Sequence, residues 1–343
     1  MYKLKPLKLK TEKFDKGQKL TSAEMGKLWA TYMGNSMSAN ILRYFLKHVE
    51  DKDIKFVLQN GLYLSESFLN DISAILEQED FPIPIGFTDK DVNLDAPRLF
   101  EDEFFLHYIK YAAKAGLSLY GVAIPLVMRE DVLDFFMSAS KTTGELLVQI
   151  NKVLIEKGLL IKPPWLRVPN KVKFIENPSY FKGFLGEVRP LHALEITHLY
   201  DNIENNVTSK ALLIGFSQVA KDVKVQNLLI KGLEITEKTV DQLREKLHKE
   251  NLPSPSVLDH LVTDSAFAPF SDKLMLFHKA DMFSMKIRSF ANSAAVNGRR
   301  DLALLYAKSI MKVTAFSEDA GNLMIQKSWL EQPPHAENNS MGN

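Results

Sequence analysis

The chain has 343 residues, 45% of them hydrophobic, which is enough for two domains of ordinary size, each burying a core of its own. Lys and Arg total 43 against 42 for Asp and Glu, so no overall charge points to a polyanionic partner. Cysteine is absent, which excludes disulfides, iron–sulfur clusters, thiolate zinc sites and cysteine nucleophiles, and suits a reducing compartment.

Residues 1–19 read as a mobile basic arm, with Lys3, Lys5, Lys8, Lys10, Lys13, Lys16 and Lys19 and no apolar core of a signal peptide. Apolar side chains at Met25, Leu28, Tyr32, Ala39, Leu42, Leu46 and Val49 then predict a helix over 21–49. A second helix follows over 52–80, and the short polar break at 50–53 makes the two an antiparallel hairpin. Phe81-Pro-Ile-Pro stops it, because proline cannot continue a helix. A long connection over 85–100 leads to helices over 101–127 and 130–159. Residues 165–190 form a linker whose Trp165, Phe174, Tyr180, Phe181 and Phe184 suggest packing on the helices. Matching helices follow over 192–220, 222–251, 271–296 and 299–330, and a polar tail, expected to be disordered, occupies 335–343. The longest apolar run, Gly116 to Met128, is too short to span a bilayer, so the chain reads as soluble and cytoplasmic.

The second set of helices repeats the first. Residues 20–84 fall without a gap on 191–255 at a shift of 171, and later positions align at a shift of 170. Two hairpins joined by a connection as long as a helix make a four-helix bundle with one crossover, the arrangement of ferritin-like folds. The sequence therefore predicts an all-α chain of two tandem ferritin-like four-helix bundles, over 20–164 and 191–334. Leu-Thr-Ser-Ala-Glu (20–24), Gly-Phe-Thr-Asp-Lys-Asp-Val-Asn (86–93), Arg-Pro-Leu-His-Ala-Leu-Glu-Ile (189–196), Pro-Phe-Ser-Asp-Lys-Leu-Met (269–275) and Trp-Leu-Glu-Gln-Pro-Pro (329–334) carry a family likeness. On them the chain resembles an uncharacterised family of tandem-duplicated ferritin-like proteins, found mostly in spore-forming bacilli. The resemblance implies that fold and a spore or sporulation setting, and implies no activity, catalytic residue or ligand.

Most acids shared by the copies are explained by folding. Thr21-x-x-Glu24 has capping-box spacing, repeated less well by His192 and Glu195. Asp51 and Asp222 stand as N-caps, while Asp102/Asp272 and Asp131/Asp301 open the third and fourth helices, where the helix dipole favours a negative charge. Arg129 and Arg299 are placed to pair with these acids.

Two shared pairs resist that account. Asn35 and Asn206 lie on the apolar stripe of the first helix of each copy, and Glu66 and Glu237 border the core on the second. Equal distances from the hairpin turn put each Asn at the height of its Glu, so a mid-bundle Asn–Glu pair is expected in each copy. Ferritin-like carboxylate proteins hold metal at this height with a Glu on two helices and Glu-x-x-His on the other two. Here the expected histidines are replaced by Leu69 and Val240. The only Glu-x-x-His sequences, Glu195-x-x-His198 and Glu245-x-x-His248, lie near one end of the second copy and form the sharpest metal hypothesis. The acidic connection (Asp89, Asp91, Asp95) lacks the glycine and terminal glutamate of a calcium loop and has no evident counterpart in copy two.

The favoured reading is a non-enzymatic structural or binding protein with no cofactor. Its competitors are an enzyme or storage protein holding iron or manganese at a reduced site built on Glu66 and Glu237, and a scaffold that binds a partner between the bundles. No membrane and no specific nucleic acid is expected, and a homo-oligomer or a spore protein remains open as partner.

Overall fold

A computed structural model describes residues 18–184 and 188–336; most of the expected basic arm and polar tail lies outside that range. Among the described residues the chain is all-helical, with no strand and eight long helices: α1 (Ser22–His48), α2 (Lys52–Glu77), α3 (Asp102–Ala123), α4 (Glu130–Glu156), α5 (Ala193–Val219), α6 (Val223–His248), α7 (Asp272–Ala295) and α8 (Arg300–Gln326). None of them is long and apolar enough to cross a membrane.

The starts follow the sequence rules. Thr21 and Glu24 form a complete capping box, and His192 takes the threonine's place before α5 by accepting the Glu195 amide at Nδ1. Asp51 and Asp222 cap α2 and α6 by accepting two backbone amides each. Asp102 and Asp272 act further away than their own helix starts suggest. Their carboxylates reach across to the amides of residues 50–51 and 221–222, pinning each hairpin turn to the third helix. Lys157 and Lys327 close the same corner by ion-pairing with Asp51 and Asp222.

Within each copy the first helix packs along the second and the third along the fourth, with further contacts between these pairs. The copies do not sit side by side as independent units, because one hydrophobic core runs through both, including Phe45, Phe100, Phe104, Phe216, Phe270 and Phe283. Their long connections also pair with each other. Asn93 N–H donates to the Pro269 carbonyl and Ser271 N–H to that of Asp91; Thr263 N–H donates to Leu99 and Glu101 N–H to Leu261. Shifting either pair of bonds by 170 residues yields the other, so the two antiparallel bridges, Val92 with Phe270 and Phe100 with Val262, are images of one another. The tandem copies therefore meet as an isologous dimer does, about an approximate two-fold axis.

Two positions depend on glycine. Gly86 has φ +61°, and a Cβ there would sit 2.4 Å from Ser36 Oγ, which accepts the neighbouring Phe87 amide. Gly215 lets Phe100 of the other copy lie against α5, since a Cβ would come 2.6 Å from its ring.

The linker departs from expectation. Trp165 is 96% exposed and Phe174 86%, and Phe181 and Phe184 are also exposed. Tyr180 stacks 4.0 Å from the Arg189 guanidinium and meets the Phe181 ring edge-on at 5.5 Å. The linker touches the second copy locally, Gly183 beside Asp301 and Tyr180 beside Gly298, and leaves most of its aromatic surface outside.

Candidate functional site

The expected Asn–Glu pairs do not form. Asn35 Nδ2 donates to the Thr31 carbonyl one turn back, and Asn206 Nδ2 likewise to Asn202. Glu66 turns outward to Arg43, 2.9 Å away, and Glu237 to Lys210 at the same distance. Each base also holds an acid of the long connection, Asp89 in copy one and Asp259 in copy two. Asp259 is the counterpart of Asp89 at a shift of 170, so the acidic connection is partly duplicated after all. A carboxylate that borders the core is better served by a cation on the neighbouring helix than by an amide already bonded to its own helical turn.

The two Glu-x-x-His sequences do not assemble a metal centre. Glu195 is spent on its capping box, on both terminal nitrogens of Arg189 and on the Gly298 amide. Burial pushes its carboxyl up, but those bonds outweigh burial and hold it below the usual range. Glu24 does the same in copy one, reaching the Met128 and Arg129 amides. His198 contributes its backbone carbonyl to Asn202. Glu245 is exposed and ion-paired with Lys249, and His248 touches Ser254. Among the described residues no three His, Asp or Glu side chains gather as metal ligands. Arg129 and Arg299 do clamp their acids: Arg129 holds Asp131 and Glu79, and Arg299 holds Asp301 and Glu250.

The asparagines nevertheless mark a site. Asn35 lines a partly open cavity of about 140 Å³ between α1, α3 and α7. Asn206 lines a second, also partly open and of the same volume, between α5, α7 and α3. The two are images under the duplication. Thr31, Gly34 and Asn35 in the first become Asn202, Asn205 and Asn206 in the second, and Ala115, Gly116 and Leu119 become Met285, Lys286 and Ser289. Each cavity is completed by the third helix of the other copy, and Tyr111, Met285 and Arg288 form a shared wall.

Chemically the two have diverged. In the second, Lys114 of α3 is held by Asp201, Glu204 and Asn205 of α5. Burial lowers its ammonium, but the two carboxylates outweigh burial and raise it. The Asn206 Oδ1 atom in that wall is buried with no partner among the described residues. Lys286, 3% exposed, donates to Thr236 Oγ1 at 2.8 Å and lies 4.1 Å over the Phe283 ring. Lys279 is fully buried and donates to Ser209. Burial drives both amines well below their ordinary range, and for Lys279 the neighbouring Lys286 adds to it.

In the first cavity the charges come from α7. Asp281 and Arg288 both line it, and among the described residues they form no ion pair with each other. Burial raises the Asp281 carboxyl against the pull of Arg288. Arg288 Nε and His278 Nδ1 are buried without hydrogen-bond partners among the described residues. Lys27 of α1 lies near enough to Arg288 that, after burial, the guanidinium is what lowers its ammonium.

These α7 residues escape a search for shared positions because the copies differ there. Lys279, Asp281, Lys286 and Arg288 stand where α3 has Ile109, Tyr111, Gly116 and Ser118. The signal lies in comparing the copies for charged differences.

A family model described as "Protein of unknown function (DUF3231)" matches twice, over residues 9–172 and 180–341. No curated protein matches the chain. Among solved structures, a crystal structure of a candidate spore coat protein from Bacillus halodurans C-125 is similar, with 19% identity and a TM-score of 0.41 over 44% of this chain and 98% of that one. With the family model matched along nearly all of its length, the chain belongs to the DUF3231 family of proteins of unknown function, in two tandem copies.

Proposed function

We propose that the chain is a pair of ferritin-like four-helix bundles, over 20–164 and 191–334, that works as a non-enzymatic structural or binding protein. Support for the bundle comes from the packing of each first helix on its second and each third on its fourth, across a long connection. The observation that carries the function is the chemistry at mid-height. A carboxylate metal centre needs inward glutamates and histidines there. Instead Glu66 and Glu237 face Arg43 and Lys210 at the surface, and the second copy's interior holds the buried amines of Lys279 and Lys286. These donors do not fit an iron or manganese pair. The sporulation setting, in the cytoplasm or on the spore, rests on the resemblance of the signature stretches alone.

Elemental analysis after exposure to iron(II) and manganese(II), on the wild type and on Glu66→Gln/Glu237→Gln, tests this reading. Substoichiometric metal, unchanged in the double variant, is the expected outcome. Stoichiometric metal that disappears in the double variant would overturn it.

A further inference from the structure

Asp281 and Arg288 stand seven residues apart on α7, two turns along one face, so about 10 Å separates them along the helix axis. Both line the cavity between α1, α3 and α7. Opposite charges in a partly buried space ordinarily pair, because an uncompensated charge there is costly. Here they are held apart by the length of a small molecule. Charge-assisted hydrogen bonds of about 2.8 Å at either end leave room for a ligand a few ångströms long.

The ends of the cavity are electrically unlike. At one, Arg288 offers a buried, unpartnered Nε, and Lys27 adds a second positive charge nearby. At the other stands Asp281, whose carboxyl is raised by burial and gains most from a cation brought against it. His278, 3% exposed, presents an unpartnered Nδ1 to the same wall. The cavity's volume of about 140 Å³ is close to the roughly 150 Å³ of a cavity known to hold benzene, so a ligand of about six non-hydrogen atoms fits.

We propose that this cavity binds a small α-amino acid, with its carboxylate on Arg288 and its ammonium on Asp281. A carboxylate alone leaves Asp281 unpaired, and an amine alone leaves Arg288 unpaired; only a zwitterion satisfies both. The site belongs to neither copy alone, because α7 of the second completes a cavity opened by α1 and α3 of the first. The inference deepens the binding role proposed above, and its failure is separable from that reading because metal content is measured independently.

Isothermal titration of the full-length chain with glycine, L-alanine and L-serine, each separately, tests it. At least one should bind saturably with a Kd of about 1 mM or tighter. Propionate and ethylamine, which each lack one charge, should bind about tenfold more weakly or not at all. Arg288→Gln and Asp281→Asn should each weaken the amino acid by about tenfold or more. Gly34→Leu supplies a variant that keeps the charges: Gly34 lines the cavity and a Cβ there meets nothing within 4 Å, so the larger side chain is expected to occupy the ligand's space. It should fold with an undiminished melting temperature and fail to bind. The proposal is overturned by absence of saturable binding for all three amino acids. It is equally overturned by binding that survives unchanged in Gly34→Leu, or by propionate binding as tightly as the amino acid.

Discussion

Tyr108 and His278 are one position of the duplicated fold, 170 residues apart, and they touch: Tyr108 Oη lies 2.9 Å from His278 Nε2. Equivalent residues can meet only beside the axis that relates the copies, so this contact marks the centre of the molecule. Burial, followed by the neighbouring Lys279, pushes the His278 imidazole down to about 3. Burial also raises the Tyr108 phenol, so a protonated hydroxyl and a neutral imidazole share this hydrogen bond.

That contact fixes a sign for the pH dependence of stability. Unfolding frees His278 to titrate at its ordinary 6.5, so the group's full contribution is present above that pH and declines as pH falls toward 3. Between pH 7 and pH 5 the wild type should lose about 2 kcal/mol more than Tyr108→Phe/His278→Phe. Urea unfolding at the two pH values checks this, and equal losses would contradict it.

Lys286 follows the same sign in a window higher on the pH scale. Burial holds its amine well below the ordinary 10.5, so the cost of keeping it in the fold shrinks as pH rises toward that value. Lys286→Met should be more stable than the wild type at pH 7, by about 1–3 kcal/mol. The advantage should shrink at pH 10. Thr236 is not orphaned by the change, since its hydroxyl also donates to the Gly232 carbonyl. A variant less stable than the wild type at pH 7 would contradict the assignment.

The helices and caps were legible because they rest on local rules: apolar spacing, N-cap chemistry and proline stops act within a few residues. The duplication was legible for the same reason. Glu66 and Glu237 were misread because spacing from the turn fixes height and leaves the direction of the side chain open. That direction was decided by Arg43 and Lys210 on the neighbouring helix. The cavities were invisible for a further reason. Each is made by three helices drawn from both copies, and the two-fold packing that joins them depends on loop pairings such as Val92 with Phe270.

Two glycines test that packing in opposite directions. Gly215→Ala drives a methyl into the Phe100 ring of the other copy and should cost about 1–3 kcal/mol. Gly34→Ala meets nothing and should gain about 0.5–1 kcal/mol from helix propensity. Equal effects in thermal unfolding would mean that α5 and Phe100 are not in close contact.

The duplicated arginine clamps should differ in weight. The side chain of Asp301 is 6% exposed and that of Asp131 41%. Arg299→Met therefore leaves a buried carboxylate with Lys246 as its remaining cation and should cost about 3 kcal/mol. Arg129→Met strands a better-solvated acid and should cost nearer 1 kcal/mol. Chemical denaturation of the two single variants compares them directly.

The central claim is that the working site lies between the copies, on α1 and α7, and not at the mid-height glutamates. Hydrogen–deuterium exchange resolved along the chain, with glycine, L-alanine, L-serine or iron(II) added in parallel, tests it most directly. Slower exchange over residues 30–38 and 281–288 with L-alanine, or with whichever of glycine and L-serine binds more tightly, and none with iron over 62–69 or 233–240, is the expected result. Protection by iron around Glu66 and Glu237, with none from any of the three amino acids on α1 and α7, would contradict the account.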